Sequence, residues 1–117
     1  MSIKKRGKKK RGRFAPAFIL LMIATEPTHG LGILQKMDTL VPTHRLDTAV
    51  IYRSLKEFEE MGCITSDWTD SEAGPKKKVY SLTSKGREVL SEFKDEVEHS
   101  LNNLQIFIKQ YDGLEEN

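Results

Sequence analysis

Leu90, Phe93, Val97, Leu101, Leu104, Ile108 and Tyr111 recur at steps of three and four along the last third of the chain. That spacing returns every one of these side chains to the same face of an α-helix, so the segment reads as one long amphipathic helix. Such a helix is stable only when its apolar face is packed. The chain has 117 residues, enough for a single domain with a modest two-layer core. A core of that size cannot cover the whole stripe. The expectation is a helix shared between two copies of the chain about a two-fold axis, with part of it also packed on the chain's own first helix.

The elements ahead of it are short. Phe14 to Ala24 reads as a first, largely buried helix, with Pro16 in its first turn and Glu26-Pro27 as its stop. Gly30 to Leu40 reads as a second helix whose apolar face holds Leu31, Leu34 and Met37, with Ile33 and Leu40 as further candidates. Val41-Pro42 ends it, and Thr43 to Leu46 is a connector with room for a short strand at Arg45-Leu46. Asp47 is a good N-cap for a third helix running to about Met61, and Gly62 is its stop. Ile64 to Trp68 and Val79 to Leu82 are β-rich runs joined by turn residues from Asp70 to Pro75, hence a β-hairpin. Thr83 can cap the last helix, which reaches about Tyr111.

The fold class expected is mainly α with a small β-hairpin: a winged helix-turn-helix plus a long C-terminal dimerisation helix. The division is a disordered basic arm over 1–13, the winged helix-turn-helix domain over 14–83, the dimerisation helix over 84–112 and a flexible tail over 113–117.

Composition narrows the class. Hydrophobic residues make up 38% and charged residues 31%, which fits a soluble globular chain and neither a disordered nor a membrane one. The longest apolar run, Phe14 to Ala24, contains Pro16 and is too short to cross a bilayer. No small-residue cleavage site follows it, so no secretory signal is read there and cytoplasmic residence is expected. Cys63 is the single cysteine, which excludes an internal disulfide and a CxxC site.

Charge is segregated along the chain. Residues 1–13 hold eight basic residues and no acid, whereas residues 88–117 hold eight acids and two lysines. A basic block repels itself and is neutralised by a polyanion. Lys8, Lys9, Lys10, Arg11 and Arg13 are therefore candidates for DNA contact, against the plainer reading of a solubilising tail. The acids of the last helix would keep that element off DNA.

The third helix is the most informative element. Ile51, Leu55 and Phe58 fall in one narrow sector and make its core face. Ala49, Tyr52, Arg53 and Lys56 fall opposite, with Thr48 at the edge, and Glu57, Glu59 and Glu60 wait until its C-terminal end. Helix-turn-helix proteins contact bases and phosphates mainly from the N-terminal part of the recognition helix, where a carboxylate would be repelled. Arg53 can grip guanine or hold a phosphate, while Tyr52 and Thr48 can hydrogen-bond phosphates. An amphipathic helix with a solvated mixed face has much the same composition. The hairpin shifts the balance, because Lys76-Lys77-Lys78 opens its return strand and would set a cationic tip beside the groove. Edge-strand protection, the plainer role for such lysines, needs fewer.

At these residues the chain resembles the PadR-like transcriptional regulators over roughly 14–111. The matching segments are His29-Gly30-x-x-Ile33, then Tyr52-x-x-Leu55-x-x-Phe58-Glu59-x-x-Gly62-x-Ile64, Trp68, and Gly74-Pro75-x-x-Lys78-x-Tyr80-x-Leu82-Thr83-x-x-Gly86. The last is the most specific. The length is similar to that of the smaller members with one C-terminal helix. The resemblance implies a homodimeric winged-helix regulator, usually a repressor, often relieved by a small phenolic or drug-like ligand. The chain departs from the pattern where Leu31 and Gly32 replace a tyrosine and an acid, and where Asp47-Thr48-Ala49 replaces a proline-glycine lead-in. The last helix also lacks the tryptophan that ligand-binding members often use, leaving Phe93 and Phe107, with Tyr111 beyond, as aromatics for an effector pocket.

The function expected is sequence-specific DNA binding as a homodimer on a pseudo-palindromic operator, with a small hydrophobic effector in the dimer interface as a further candidate partner. The alternatives are a winged-helix protein-interaction module and a nonspecific architectural nucleic-acid binder. No enzyme, metal or cofactor is expected. His29, His44 and His99 lie far apart and at no metal-ligand spacing with Cys63 or an acid. Gly30-Leu31-Gly32 lacks the third glycine and the preceding strand of a dinucleotide site. His29 reads as a cap or packing residue near the helix turn, and Cys63 as a buried thiol.

Overall fold

The computed structural model describes residues 14–70 and 74–115. Three helices, α1 (Ala15–Thr25), α2 (Gly30–Leu40) and α3 (Thr48–Glu60), lead into β1 (Ile64–Thr69), β2 (Lys77–Leu82) and α4 (Ser84–Glu115). The order is the one the sequence predicts, mainly helical with one antiparallel hairpin. The basic arm, with Lys8, Lys9, Lys10, Arg11 and Arg13, lies outside the described residues.

The core forms around α1. Ile19, Leu20, Met22 and Ile23 meet Ile33 and Met37 of α2 and Ile51, Leu55 and Phe58 of α3. Cys63, Ile64 and Tyr80 close it on the hairpin side, and Cys63 is fully buried as expected. The start of α4 docks on this core through Val89, Leu90 and Phe93, with Phe93 edge-on to Phe58 at 6.4 Å between ring centroids.

Local chemistry sets the boundaries. Asp47 caps α3, its Oδ1 accepting from Val50 N–H at 2.9 Å. Gly62 has φ +81°, the left-handed geometry that lets the chain turn from α3 into β1. Thr83 caps α4: its Oγ1 accepts from Gly86 N–H at 3.0 Å while its hydroxyl donates to the Gly62 carbonyl at 2.6 Å. One threonine thus ties the start of the last helix to the end of the third.

The hairpin pairs Ile64 with Leu82 through to Thr69 with Lys77. Thr28, ahead of α2, exchanges two backbone hydrogen bonds with Tyr80, at 2.8 and 3.2 Å, and so adds a one-residue edge to β2.

Three expectations need correction. The buried face of α2 is Gly30, Ile33 and Met37, with Leu34 packed beside it, while Leu31 is 50% and Leu40 60% exposed. At 3.6 residues per turn Leu31 lies about 160° from Ile33, on the far side of the helix, and Leu40 sits in its last turn. No strand forms at Arg45-Leu46. There His44 takes the local hydrogen bonds instead: its Nδ1 accepts from Leu46 N–H at 2.9 Å and its Nε2 meets Asp38 Oδ1 at 2.7 Å. That pair fixes the turn between α2 and α3. Finally, α4 runs past Tyr111 to Glu115, so 113–115 is helix and not tail. Tyr111 Oη donates to Glu115 Oε2 at 3.0 Å, one turn on, across Gly113.

Among the described residues no helix is long and apolar enough to cross a membrane.

Candidate nucleic-acid interface

Burial of Ile51, Leu55 and Phe58 fixes the rotation of α3 and leaves the opposite side in solvent. Thr48, Ala49, Tyr52, Arg53 and Lys56 are all exposed. The α3 cap at Asp47 is itself an acid, but its Oδ1 is engaged by Val50 N–H. The first acid within the helix is Glu57.

Tyr52 is placed by a glycine. A Cβ at Gly30 would come within 2.5 to 2.7 Å of the Tyr52 ring and hydroxyl, so the phenol lies directly over the Gly30 backbone. It is still 48% exposed. The sequence marks both residues but not their contact, because it joins two helices. Gly30→Ala is expected to leave the fold intact and push the Tyr52 ring outward, since the clash is with the far end of a side chain that can swing away. Operator affinity should drop by about tenfold, an order-of-magnitude expectation for one displaced contact. Unchanged affinity in a direct titration would show that the ring's position is irrelevant to docking.

His29 begins α2 as its N-cap, with Gly32 N–H donating to Nδ1 at 3.1 Å. An imidazole that accepts at Nδ1 is unprotonated there, and burial, with Lys77 adding to it, lowers the His29 pKa below its ordinary value. Gly32 is more than a weak helix residue: a Cβ there would collide with Thr28 Oγ1. Thr28, His29 and Gly32 therefore form one tight lead-in between α1 and α2.

The three wing lysines are not equivalent. Lys76 precedes β2 and stands 3.8 Å from Asp70 across the turn, both largely in solvent. Lys77 is exposed, opposite Thr69. Successive residues of a strand face opposite sides, so Lys78 points the other way, where its Nζ lies 3.5 Å from Glu59 Oε1 and 5.7 Å from the centroid of the Tyr80 ring. Lys76, at the turn, and Lys77 are both exposed, while Lys78 turns in towards the end of α3. In the sequence Glu59 stands only as one of the acids closing α3 and as part of the family signature. Its partners come from the hairpin, and no periodicity within α3 points to them.

Of the expected dimer stripe, Leu90 and Phe93 pack on the core. Val97, Leu101, Leu104, Ile108 and Tyr111 are exposed, together with Phe107 beside them. Phe93, Leu90, Phe14, Phe18 and Leu21 line an open apolar groove between α1 and α4. Among the described residues no group of three or more His, Cys, Asp or Glu side chains could hold a metal ion.

The sequence model of the Transcriptional regulator PadR-like family matches residues 19–92, more than half of the chain. No curated protein matches it. Among solved structures, a PadR-like transcriptional regulator from Bacillus cereus is 31% identical, with a TM-score of 0.64 over 78% of this chain and 90% of that one. A PadR-like transcription factor from Bacteroides fragilis is 24% identical, with a TM-score of 0.67 over 87% of this chain and 97% of that one. A PadR family transcription regulator from Clostridium difficile R20291 is 21% identical, with a TM-score of 0.70 over 81% and 98%. The exposed third-helix face, the lysine-bearing wing and the long last helix are thus carried by a chain that belongs to the PadR-like family of DNA-binding transcriptional regulators.

Proposed function

We propose that the protein binds a specific, pseudo-palindromic operator as a homodimer and acts as a repressor. The observation that carries this reading is the solvent-facing side of α3, where Thr48, Ala49, Tyr52, Arg53 and Lys56 stand exposed ahead of the first helical acid. In that arrangement α3 enters the major groove and Arg53 is its main candidate for reading a base or gripping a phosphate. Lys76 and Lys77 neutralise phosphates beside it. The exposed stripe of α4 pairs with its copy, and the two recognition helices meet half-sites about 34 Å apart. A hydrophobic effector would enter the apolar groove between α1 and α4, with Phe93 in its wall.

Selection from random-sequence duplex DNA, followed by footprinting, tests this directly. A two-fold sequence should emerge and should still be bound after deletion of residues 1–13. Recovery of no preferred sequence would leave only charge-driven binding, which the arm alone could supply. Arg53→Ala should weaken binding to the selected duplex by about 1–3 kcal/mol, as for a lost bidentate contact. Thermal stability should change by less than about 0.5 kcal/mol, because the site is exposed.

A further inference from the structure

The wing meets the recognition helix through one carboxylate. Glu59 lies in the last turn of α3, half-buried, and each of its oxygens is engaged by a different strand. Oε2 accepts from the Ser66 hydroxyl of β1 at 2.6 Å, and Oε1 stands 3.5 Å from Lys78 Nζ of β2. Ser66 pairs with Tyr80 in the hairpin register and Trp68 with Lys78. Ser66, Trp68, Lys78 and Tyr80 therefore share one sheet face, and Glu59 sits against it. Tyr80 below is buried, and its hydroxyl is pushed above the ordinary tyrosine value first by that burial, with Lys78 opposing and Glu59 and Tyr52 adding to it.

We propose that Glu59 is a positioning residue for DNA docking: it latches both strands of the wing to the recognition helix, and it removes Lys78 from the set of lysines that neutralise phosphates. The proposal rests on the DNA-docking reading above. Without the latch, the inner end of the wing stays fixed by Ile64, Tyr80 and the Thr28 bridge, but its outer residues, which carry Lys76 and Lys77, lose their side-chain tie to α3. With it, Lys78 has a carboxylate on one side and an aromatic face on the other. An ammonium already compensated by its own protein releases no DNA counterion on binding, whereas Lys77, on the opposite face, does.

Charge alone and the latch give opposite signs for Glu59→Gln. The variant removes a negative charge near the docking surface, so simple electrostatics makes DNA binding tighter. The latch makes binding to the selected duplex weaker, by roughly three- to tenfold, the order of one lost polar contact, while a scrambled duplex of equal length gains or stays level. Binding followed between about 50 and 200 mM salt separates the lysines. Lys77→Met should lower the slope of log affinity against log salt by about 0.9. Lys78→Met should weaken binding without changing the slope.

Trp68, the only tryptophan in the chain, reports the latch with no DNA present. Its fluorescence anisotropy should fall in Glu59→Gln and Lys78→Met and stay level in Lys77→Met. An unchanged Trp68 signal in Glu59→Gln, tighter binding of both duplexes by that variant, or a slope loss in Lys78→Met equal to that in Lys77→Met each overturns the latch. A Trp68 response with flat salt slopes in every variant, Lys77→Met included, overturns instead the docking reading on which the positioning role depends.

Discussion

Leu101→Glu is expected to turn the protein into a monomer and to lower operator affinity by about 10²- to 10⁴-fold, the range lost when two linked binding events become separate ones. The reason lies in how α4 is covered. Its first turns rest on the core through Val89, Leu90 and Phe93, but Leu101 is 53% exposed. Leu104, Ile108 and Tyr111 follow on the same face, also exposed. The helix has 32 residues, so it is about 48 Å long. An isolated helix of this kind is marginal in water unless its apolar side is packed, and in the proposed homodimer a second copy of α4 supplies a matching face. Removing a leucine from that interface costs about 1.5–3 kcal/mol of burial in each protomer. The carboxylate that replaces it adds several kcal/mol of desolvation in each. Two such changes exceed what a micromolar dimer can absorb, about 8 kcal/mol. Sedimentation of the two proteins at micromolar concentration, beside a duplex titration, measures both effects. An unmodified protein that sediments as a monomer would falsify the homodimer outright, and a dimeric Leu101→Glu would move the interface elsewhere.

What was legible in the sequence was local. Asp47, Gly62 and Thr83 mark their boundaries because a cap or a turn needs only its neighbours. Ile51, Leu55 and Phe58 mark a core face because the helical period is enough to place them. The signature residues around the wing also turn out to have separate physical tasks. Tyr80 is buried and bridges to Thr28, Thr83 caps α4, and Gly86 seats that helix on the chain end of α3. What was not legible depends on elements meeting. The three wing lysines look like one patch in sequence, and only the hairpin register sends Lys78 to Glu59. The Gly30–Tyr52 contact joins two helices, and the choice of Ile33 over Leu31 as core depends on where α1 lies. The apolar period ends at Tyr111, yet the helix continues to Glu115.

Gly86→Ala should lower the melting temperature by several degrees, whereas Gly113→Ala, the same substitution in the same helix, should raise it slightly. Within a helix interior, alanine is favoured over glycine by about 1 kcal/mol, because glycine loses more backbone freedom on folding. At Gly113, in the last turn, part of that gain is expected, since an added Cβ would meet nothing within 4 Å. At Gly86 it is opposed. The residue is buried at the start of α4, and an added Cβ would run into the Cys63 carbonyl oxygen and come within 2.7 Å of Leu82 Cδ1. The oxygen cannot retreat as a side-chain tip could, because it already accepts from Thr83 N–H at 3.0 Å at the joint between α3 and α4. Thr83 in turn holds Gly62 and Gly86, so α4 can make room only by sliding off that joint. Overpacking of this kind costs about 1–3 kcal/mol, and a backbone obstacle places it at the upper end. After the gain in helix propensity, a net loss of about 2 kcal/mol remains, or roughly 8–16 °C for a domain near this size. Thermal melts at equal protein concentration decide the matter, because the stability of the proposed dimer would vary with concentration. A Gly86→Ala protein as stable as its Gly113→Ala counterpart would mean that α4 does not seat against Cys63. The wing and α3 would then lack a fixed joint to α4.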